Sequence, residues 1–340
     1  MIYPWQKTIW SHIQSERDRL AHAILLRGQV GIGKFDFSIE LSKSLLCLTP
    51  IQDGLACNLC ESCHWFSQSN HPDFRLLSPD GGEQDESEIT TKKKTKKANI
   101  LIDQVRALSQ FLTLSSHRAN ATRILLITPA ETLNEVSANA LLKIIEEPPV
   151  GLIFILVCNE PQRLLPTLLS RCNQIAMPSP SREESMNWLR EQTDLSDKEL
   201  VASLNYMSGS PIKTLQKIEE KSVMPYKLIE QLAKGATCDY ALVASLLNEK
   251  KQDDVGMKEA LNTLQKWCYD LVSYLITNKV YYHSDMESLF HSLSDKCVLN
   301  SLLDFQKTVS QAKHYATHPL MTDLQLESLA LQYTKLFLAN

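Results

Sequence analysis

The sequence contains no apolar run of about 18 residues, so no segment reads as a helix that crosses a bilayer. Its amino terminus, MIYPWQKTIWSHIQ, lacks the basic-then-apolar pattern of an export signal. A positive balance is missing too: 35 Lys and Arg stand against 39 Asp and Glu, for a net charge of −4. That excludes a global field favouring nucleic acid, so any contact with DNA must come from a local patch or through partners. Nine cysteines are present, and without an export signal they read as thiols and a metal site, not as a disulfide framework. The expectation is a cytoplasmic protein with no membrane contact. At 340 residues it exceeds one ordinary core, which predicts two or three domains.

Further absences sit inside a motif. Residues 28–35 read GQVGIGKF, a phosphate-binding loop in outline: Gly28, four residues, Gly33, Lys34. The loop lies between an apolar run, AHAILLRG (21–28), and a helical pattern, FDFSIELSKSLLC (35–47), as a strand–loop–helix motif requires. Glycines there let backbone N–H groups converge on phosphate oxygens, and the helix N-terminus favours negative charge. The next residue normally supplies a hydroxyl to Mg²⁺, and Phe35 has none. A hydrolase also needs an Asp at the end of a second strand, commonly followed by Glu. The strand ILLI (124–127) runs instead into Thr128-Pro129-Ala130-Glu131, and neither acidic position is filled. Three losses around one metal and water position predict a chain without useful hydrolysis. Gly28, Gly31, Gly33 and Lys34 survive, which leaves ATP or ADP binding without turnover open. The plainer reading is that the glycines only permit a tight turn.

The first half alternates between strand-like and helical patterns. RILLIT (123–128) and LIFILVCN (152–159) are short, dense in Ile, Leu, Val and Phe, and read as buried strands of a parallel α/β sheet. Residues 80–99, acidic first and lysine-rich after, have no apolar period and read as a charged surface loop. The lysines there could touch phosphate, but a solvated insertion is the simpler reading. After MPSPS (177–181) the patterns are helical only. Ser181 with Glu184 reads as a capped helix start. Leu261, Leu264, Cys268, Leu271 and Leu275 form one apolar stripe, and Leu326, Leu329, Ala330, Tyr333 and Phe337 another. The expected division is an α/β domain over 1–176, a small helical domain over 177–221, and a larger helical domain over 222–340.

Cys47, Cys57, Cys60 and Cys63 lie in CLTPIQDGLACNLCESC. The two-residue gaps bring three thiolates to one point, and Cys47 returns from the preceding helix. Four thiolates suit tetrahedral Zn²⁺, and a closed set has no open position for water, so the predicted metal is structural. A redox pair fits less well, because three equally spaced cysteines leave one unexplained. His64 and His71 are within reach as substitute ligands but are not required by a set of four cysteines. Cys158 and Cys268 fall in apolar surroundings, where cysteine acts as a small hydrophobe.

Two further stretches narrow the reading. LNEVSANALLKIIEEPP (133–149) follows the degenerate second strand, and RLLPTLLSRC (163–172) follows the LIFILVCN strand. Together they resemble the AAA+ ATPase subunits of bacterial clamp loaders, and the resemblance extends over the whole chain. It implies a P-loop domain with a zinc module, a lid and a helical collar. It also implies a hetero-oligomeric ring with motor (gamma/tau) and delta subunits, which opens a sliding clamp and places it on primer-template DNA within the DNA polymerase III holoenzyme. Arg171, in Ser170-Arg171-Cys172, matches the family's arginine finger, which acts on ATP bound by a neighbour. An intramolecular salt bridge is the plainer use of that residue. Asn159 matches the first sensor position. In GSPIKTL (209–215), Ile212 stands where the second sensor has arginine, with Lys213 beside it. The pattern implies a non-motor subunit. The alternatives are an active motor subunit, a P-loop nucleotide kinase, and a zinc-dependent nucleic-acid-binding module. A kinase would need a hydroxyl after Lys34 and an acidic Mg²⁺ partner.

Overall fold

The computed structural model describes residues 2–79, 99–113, 122–220, 225–248, 254–315 and 323–338. Nearly all of the charged stretch at 80–99, and the expected boundary near residue 222, lie outside the described residues. The chain separates into two compact units, Met1–Glu184 and Ser185–Asn340.

The first unit is built on a five-stranded parallel sheet in the order β2-β3-β4-β1-β5. The strands are β1 (Ala23–Arg27), β2 (Phe74–Leu77), β3 (Arg123–Ile127), β4 (Leu152–Cys158) and β5 (Asn173–Ala176). Alternate residues of β1, β3 and β4 enter two separate cores, as the two-residue period of a strand dictates. Leu25, Leu125, Ile127, Phe154 and Leu156 face one side, where Leu141, Leu142 and Ile145 of helix Glu135–Glu146 cover them. Ile24, Leu26, Ile124, Leu126, Ile155 and Val157 face the other, against Phe37 and Leu41 of helix Lys34–Leu46 and Trp10 of helix Lys7–Ser15. Burial on both faces explains why these three strands read as continuous apolar runs. Each such side chain contributes about 1.5–3 kcal/mol relative to exposure.

The two outer strands were not predicted from sequence. β2 (FRLL) is half-buried over three of its four residues, and β5 (NQIA) is mostly exposed. Each is only four residues long and lies at an edge of the sheet, so neither presents the long apolar run that marks the central strands.

Among the described residues no strand follows Ala176. Helix Arg182–Gln192 opens as predicted: Ser181 Oγ accepts from the Glu184 N–H at 3.1 Å, and Glu184 Oε2 accepts from the Ser181 N–H at 2.8 Å. In the second unit, Leu261, Leu264, Cys268 and Leu271 of helix Asp254–Thr277 are buried in one core with Leu326, Leu329, Ala330 and Tyr333 of helix Asp323–Lys335. Tyr333 Oη accepts from Trp267 Nε1 at 2.8 Å and donates to the Leu232 carbonyl at 2.6 Å, so neither buried polar tip is orphaned. Asp270 is fully buried on the long helix. Its carboxylate accepts from the backbone N–H of Tyr281 (2.9 Å), Tyr282 (3.1 Å) and His283 (2.8 Å), and pairs with His283 Nδ1 at 2.8 Å. Those donors replace the hydration that burial removes, and they fix the 281–283 segment on the helix.

Candidate functional site

Parallel pairing brings the carboxyl ends of β1, β3 and β4 to one edge of the sheet, where α/β sheets commonly hold ligands. Arg27 is in register with Cys158, and Ile127 with Leu156. The P-loop after β1, the Thr128–Glu131 turn after β3 and Asn159 after β4 are therefore neighbours, as the sequence required.

The loop makes its turn through Gly31 (φ 77°) and Gly33 (φ 82°), both left-handed. A Cβ on Gly33 would lie 2.4 Å from the Tyr3 ring. The amino-terminal segment is pinned across the loop. Gln6 Nε2 donates to the carbonyls of Ile32 (2.8 Å) and Gly33 (3.0 Å), and Trp5 Nε1 donates to Ile32 O at 3.0 Å. Tyr3 stacks on Trp5 at 5.0 Å and donates its hydroxyl to Asp36 at 3.0 Å. We expect Gly33→Ala to destabilise the chain by about 1–3 kcal/mol, from backbone strain and the Tyr3 clash together. Thermal unfolding checks this, and an unchanged Tm would contradict it.

Lys34 is 4% exposed, and its ammonium donates to the loop's own carbonyls, Gly28 O at 2.8 Å and Gln29 O. Phe35 is 43% exposed at the position where a hydroxyl would meet Mg²⁺. At the end of β3, Thr128 and Pro129 leave the metal and water positions without a carboxylate. The acid nearest in sequence, Glu131, is buried and engaged with Asn159. Its oxygens accept from the Asn159 N–H at 3.2 Å and from Asn159 Nδ2 at 2.8 Å. The sensor-position amide is thus held by a protein carboxylate. Sequence reading missed this pairing, because nothing in the 28-residue separation signals it. Burial, with Glu131 adding to it, pushes the Cys158 thiol up to about 12, so this cysteine is inert packing.

Arg171 follows the short helix Pro166–Leu169. Its side chain is 39% exposed and pairs with Glu146 of helix Glu135–Glu146 at 2.5 Å, Glu146 being 47% exposed. The intramolecular pair set against the finger in the sequence is therefore present. Arg171 Nη1 also donates to Thr167 O at 3.1 Å. Cys172 is buried beside it and its thiol is pushed up to about 11 by burial, so it anchors the segment. Ser170 caps its own turn through Thr167 O at 3.0 Å. Ile212 and Lys213 lie on helix Pro211–Glu219 in the second unit.

Cys47, Cys57, Cys60 and Cys63 of the first unit converge. Cys47 ends helix Lys34–Leu46, Cys57 and Cys60 come from the loop, and Cys63 from the first turn of helix Glu61–Ser67. Their sulfurs lie within 4.8 Å of one another, with Cys47–Cys60 at 3.9 Å and Cys57–Cys63 at 4.0 Å. A tetrahedron with Zn–S of about 2.3 Å has edges of about 3.8 Å, so the set fits zinc. Backbone N–H groups already point at the sulfurs: Cys57 N to Cys47 Sγ at 3.3 Å, Cys60 N to Cys57 Sγ at 3.3 Å, and Cys63 N to Cys60 Sγ at 3.5 Å. The Thr49 hydroxyl first, then the N–H groups of Leu59 and Cys60, lower Cys57 to about 5, whereas burial raises Cys63 to about 12. His71 is not needed as a ligand. Its Nδ1 accepts from the Asp73 N–H at 3.1 Å, and its Nε2 faces Ser62 Oγ at 2.9 Å. His64 pairs with Gln68 on the exposed face.

Comparison with known proteins accords with this geometry. The profile of the family described as "DNA polymerase III, delta subunit" matches residues 5–181. The DNA polymerase III subunit delta' of Pseudomonas aeruginosa is 30% identical over 341 residues, covering 98% of each chain. The Escherichia coli delta' subunit is 32% identical over 212 residues, 62% of this chain and 58% of that one. The Bacillus subtilis delta' subunit is 36% identical over 163 residues, 47% of this chain and 43% of its own. With a parallel five-stranded sheet, a helical second half and a four-cysteine cluster of the expected kind, the chain belongs to the family of DNA polymerase III delta' subunits.

Proposed function

We propose that this chain is a non-motor subunit of a DNA polymerase III clamp loader. It has no ATPase of its own and supplies Arg171 to ATP bound by a neighbouring motor subunit. The observation that carries this is a contrast within one unit. The metal and water positions at the sheet edge hold Thr128, Pro129 and Phe35, while the Arg171 guanidinium stays half-exposed beside a single carboxylate. A partly exposed ion pair of this kind contributes about 0–1 kcal/mol, so Glu146 yields readily to a γ-phosphate. The engagement of Asn159 by Glu131, and of Lys34 by the loop carbonyls, supports a subunit that does not read its own nucleotide. ATP or ADP held by Gly28, Gly31, Gly33 and Lys34 without turnover is compatible with this role.

The remaining parts follow the family resemblance. Partners are gamma/tau and delta subunits, with the sliding clamp and primer-template DNA met through the assembled ring in the cytoplasm. The ATPase-like domain spans 1–176, the lid 177–221 and the collar 222–340. The four cysteines hold a structural zinc, which fixes the loop between two helices and supplies no reaction step. No helix among the described residues is long and apolar enough to cross a membrane.

The isolated chain, given ATP and Mg²⁺, is expected to show no turnover above background. Robust hydrolysis that Lys34→Ala abolishes would establish a motor subunit instead.

A further inference from the structure

We propose that the second unit carries a binding site for a phosphate-bearing anion, formed by Lys213, Lys266 and Lys313 on three different helices. Lys213 lies on helix Pro211–Glu219, Lys266 on helix Asp254–Thr277 and Lys313 on helix Leu299–Tyr315. Side-chain contacts bring these helices to one place. Lys217 Nζ reaches Glu259 at 2.7 Å, which ties the first helix to the second. Lys313 Nζ donates to Gln265 Oε1 at 3.0 Å, which sets it beside Lys266. Lys266 Nζ donates to the Tyr206 carbonyl at 2.5 Å and lies 4.0 Å from the centre of the Tyr206 ring.

Among the described residues, Glu259 is the carboxylate that acts on both Lys213 and Lys266, and Lys217 shares it. Of the carboxylates nearby, Glu220 and Glu259 are both engaged by Lys217, at 3.1 and 2.7 Å. Asp270 is committed to His283 and the 281–283 backbone. Among the described residues no ion pair joins Lys213 or Lys266 to a carboxylate. An ammonium has three donors, and the Tyr206 carbonyl uses one of those on Lys266. The lysines repel one another: Lys266 is brought down to about 8, by burial first and then by Lys213, with Lys313 adding to it. Lys213 is lowered by burial as well. Such a cluster is stabilised by an anion whose oxygens diverge towards several donors at once. A tetrahedral phosphate does this, whereas a planar carboxylate offers two oxygens. The phosphate could be a small free anion or a nucleic-acid backbone, and the two share this chemistry.

Limited acylation of the full chain at pH 8, read lysine by lysine by mass spectrometry, tests the site. Pyrophosphate at twice its dissociation constant should slow Lys213, Lys266 and Lys313 about threefold relative to sodium chloride of equal ionic strength, leaving Lys198 and Lys227 unchanged. A short DNA duplex that protects the same three at lower phosphate concentration would identify the backbone as the ligand. Protection by pyrophosphate alone would identify a small anion. Lys313→Met, and separately Lys213→Met, each with unchanged Tm, should remove the protection at Lys266. No protection by either ligand, equal protection of the control lysines, or protection at Lys266 that survives both substitutions would overturn the proposal.

Discussion

Replacing Arg171 by alanine is expected to lower ATP turnover at the neighbouring site of the assembled complex by about 10³ or more, the range of an arginine supplied in trans. That corresponds to about 4 kcal/mol of transition-state stabilisation, at about 1.36 kcal/mol per tenfold. The chain's own stability should hardly change. In the free chain the guanidinium touches Glu146, Thr167 O and the solvent, and a pair exposed at 39% and 47% contributes about 0–1 kcal/mol. The large catalytic effect and the small structural one can therefore be separated in one variant. Arg171→Lys keeps the charge but loses the planar fork, so it should recover only a minor part of the rate. Steady-state turnover of the reconstituted complex, with Tm and assembly measured alongside, checks this. An unchanged rate would leave Arg171 as a structural residue of the Glu146 pair.

Removing zinc should have the largest effect on structure. Four sulfurs within 4.8 Å form a set that metal joins and protons separate. Without metal, burial holds Cys63 at about 12 and raises Cys47, so both are thiols at neutral pH, while Cys57 at about 5 is already a thiolate. Zinc must displace the protons of the raised pair, so its affinity falls as pH falls, and binding at neutral pH releases protons. Structural zinc of this kind binds with about 10–16 kcal/mol. The purified chain is expected to carry one zinc. Chelation, or Cys63→Ser, should expose residues 47–67 to amide exchange while β1, β3 and β4 stay protected. A chain that holds no zinc, or one whose exchange is unchanged by chelation, would contradict a metal-fixed loop.

The parts that were legible in the sequence are those where one physical constraint dominates. β1, β3 and β4 are buried on both faces, so each reads as a continuous apolar run. The Ser181–Glu184 box reads directly because its residue types are set by unsatisfied helix N–H groups. The cysteine spacing foretells the cluster because tetrahedral coordination restricts it. β2 and β5 were not legible, since NQIA is largely polar and exposed, and FRLL, although mostly apolar, is too short to read as a continuous run. The Glu131–Asn159 contact, and the identity of Glu146 as the partner of Arg171, were illegible for a different reason. Each joins segments that meet only because the sheet order places them together, and nothing local requires either pairing. The basic cluster of Lys213, Lys266 and Lys313 spans 100 positions of sequence and emerges only from helix packing.

The central claim is that this chain gives an arginine and does not spend a nucleotide. Two variants compared in one reconstituted complex test it: Lys34→Ala and Arg171→Ala, with DNA- and clamp-stimulated ATP turnover measured for each. Turnover should survive Lys34→Ala and collapse at the neighbouring site with Arg171→Ala. Collapse with Lys34→Ala and indifference to Arg171→Ala would mean that the loop, and not the finger, carries the chemistry.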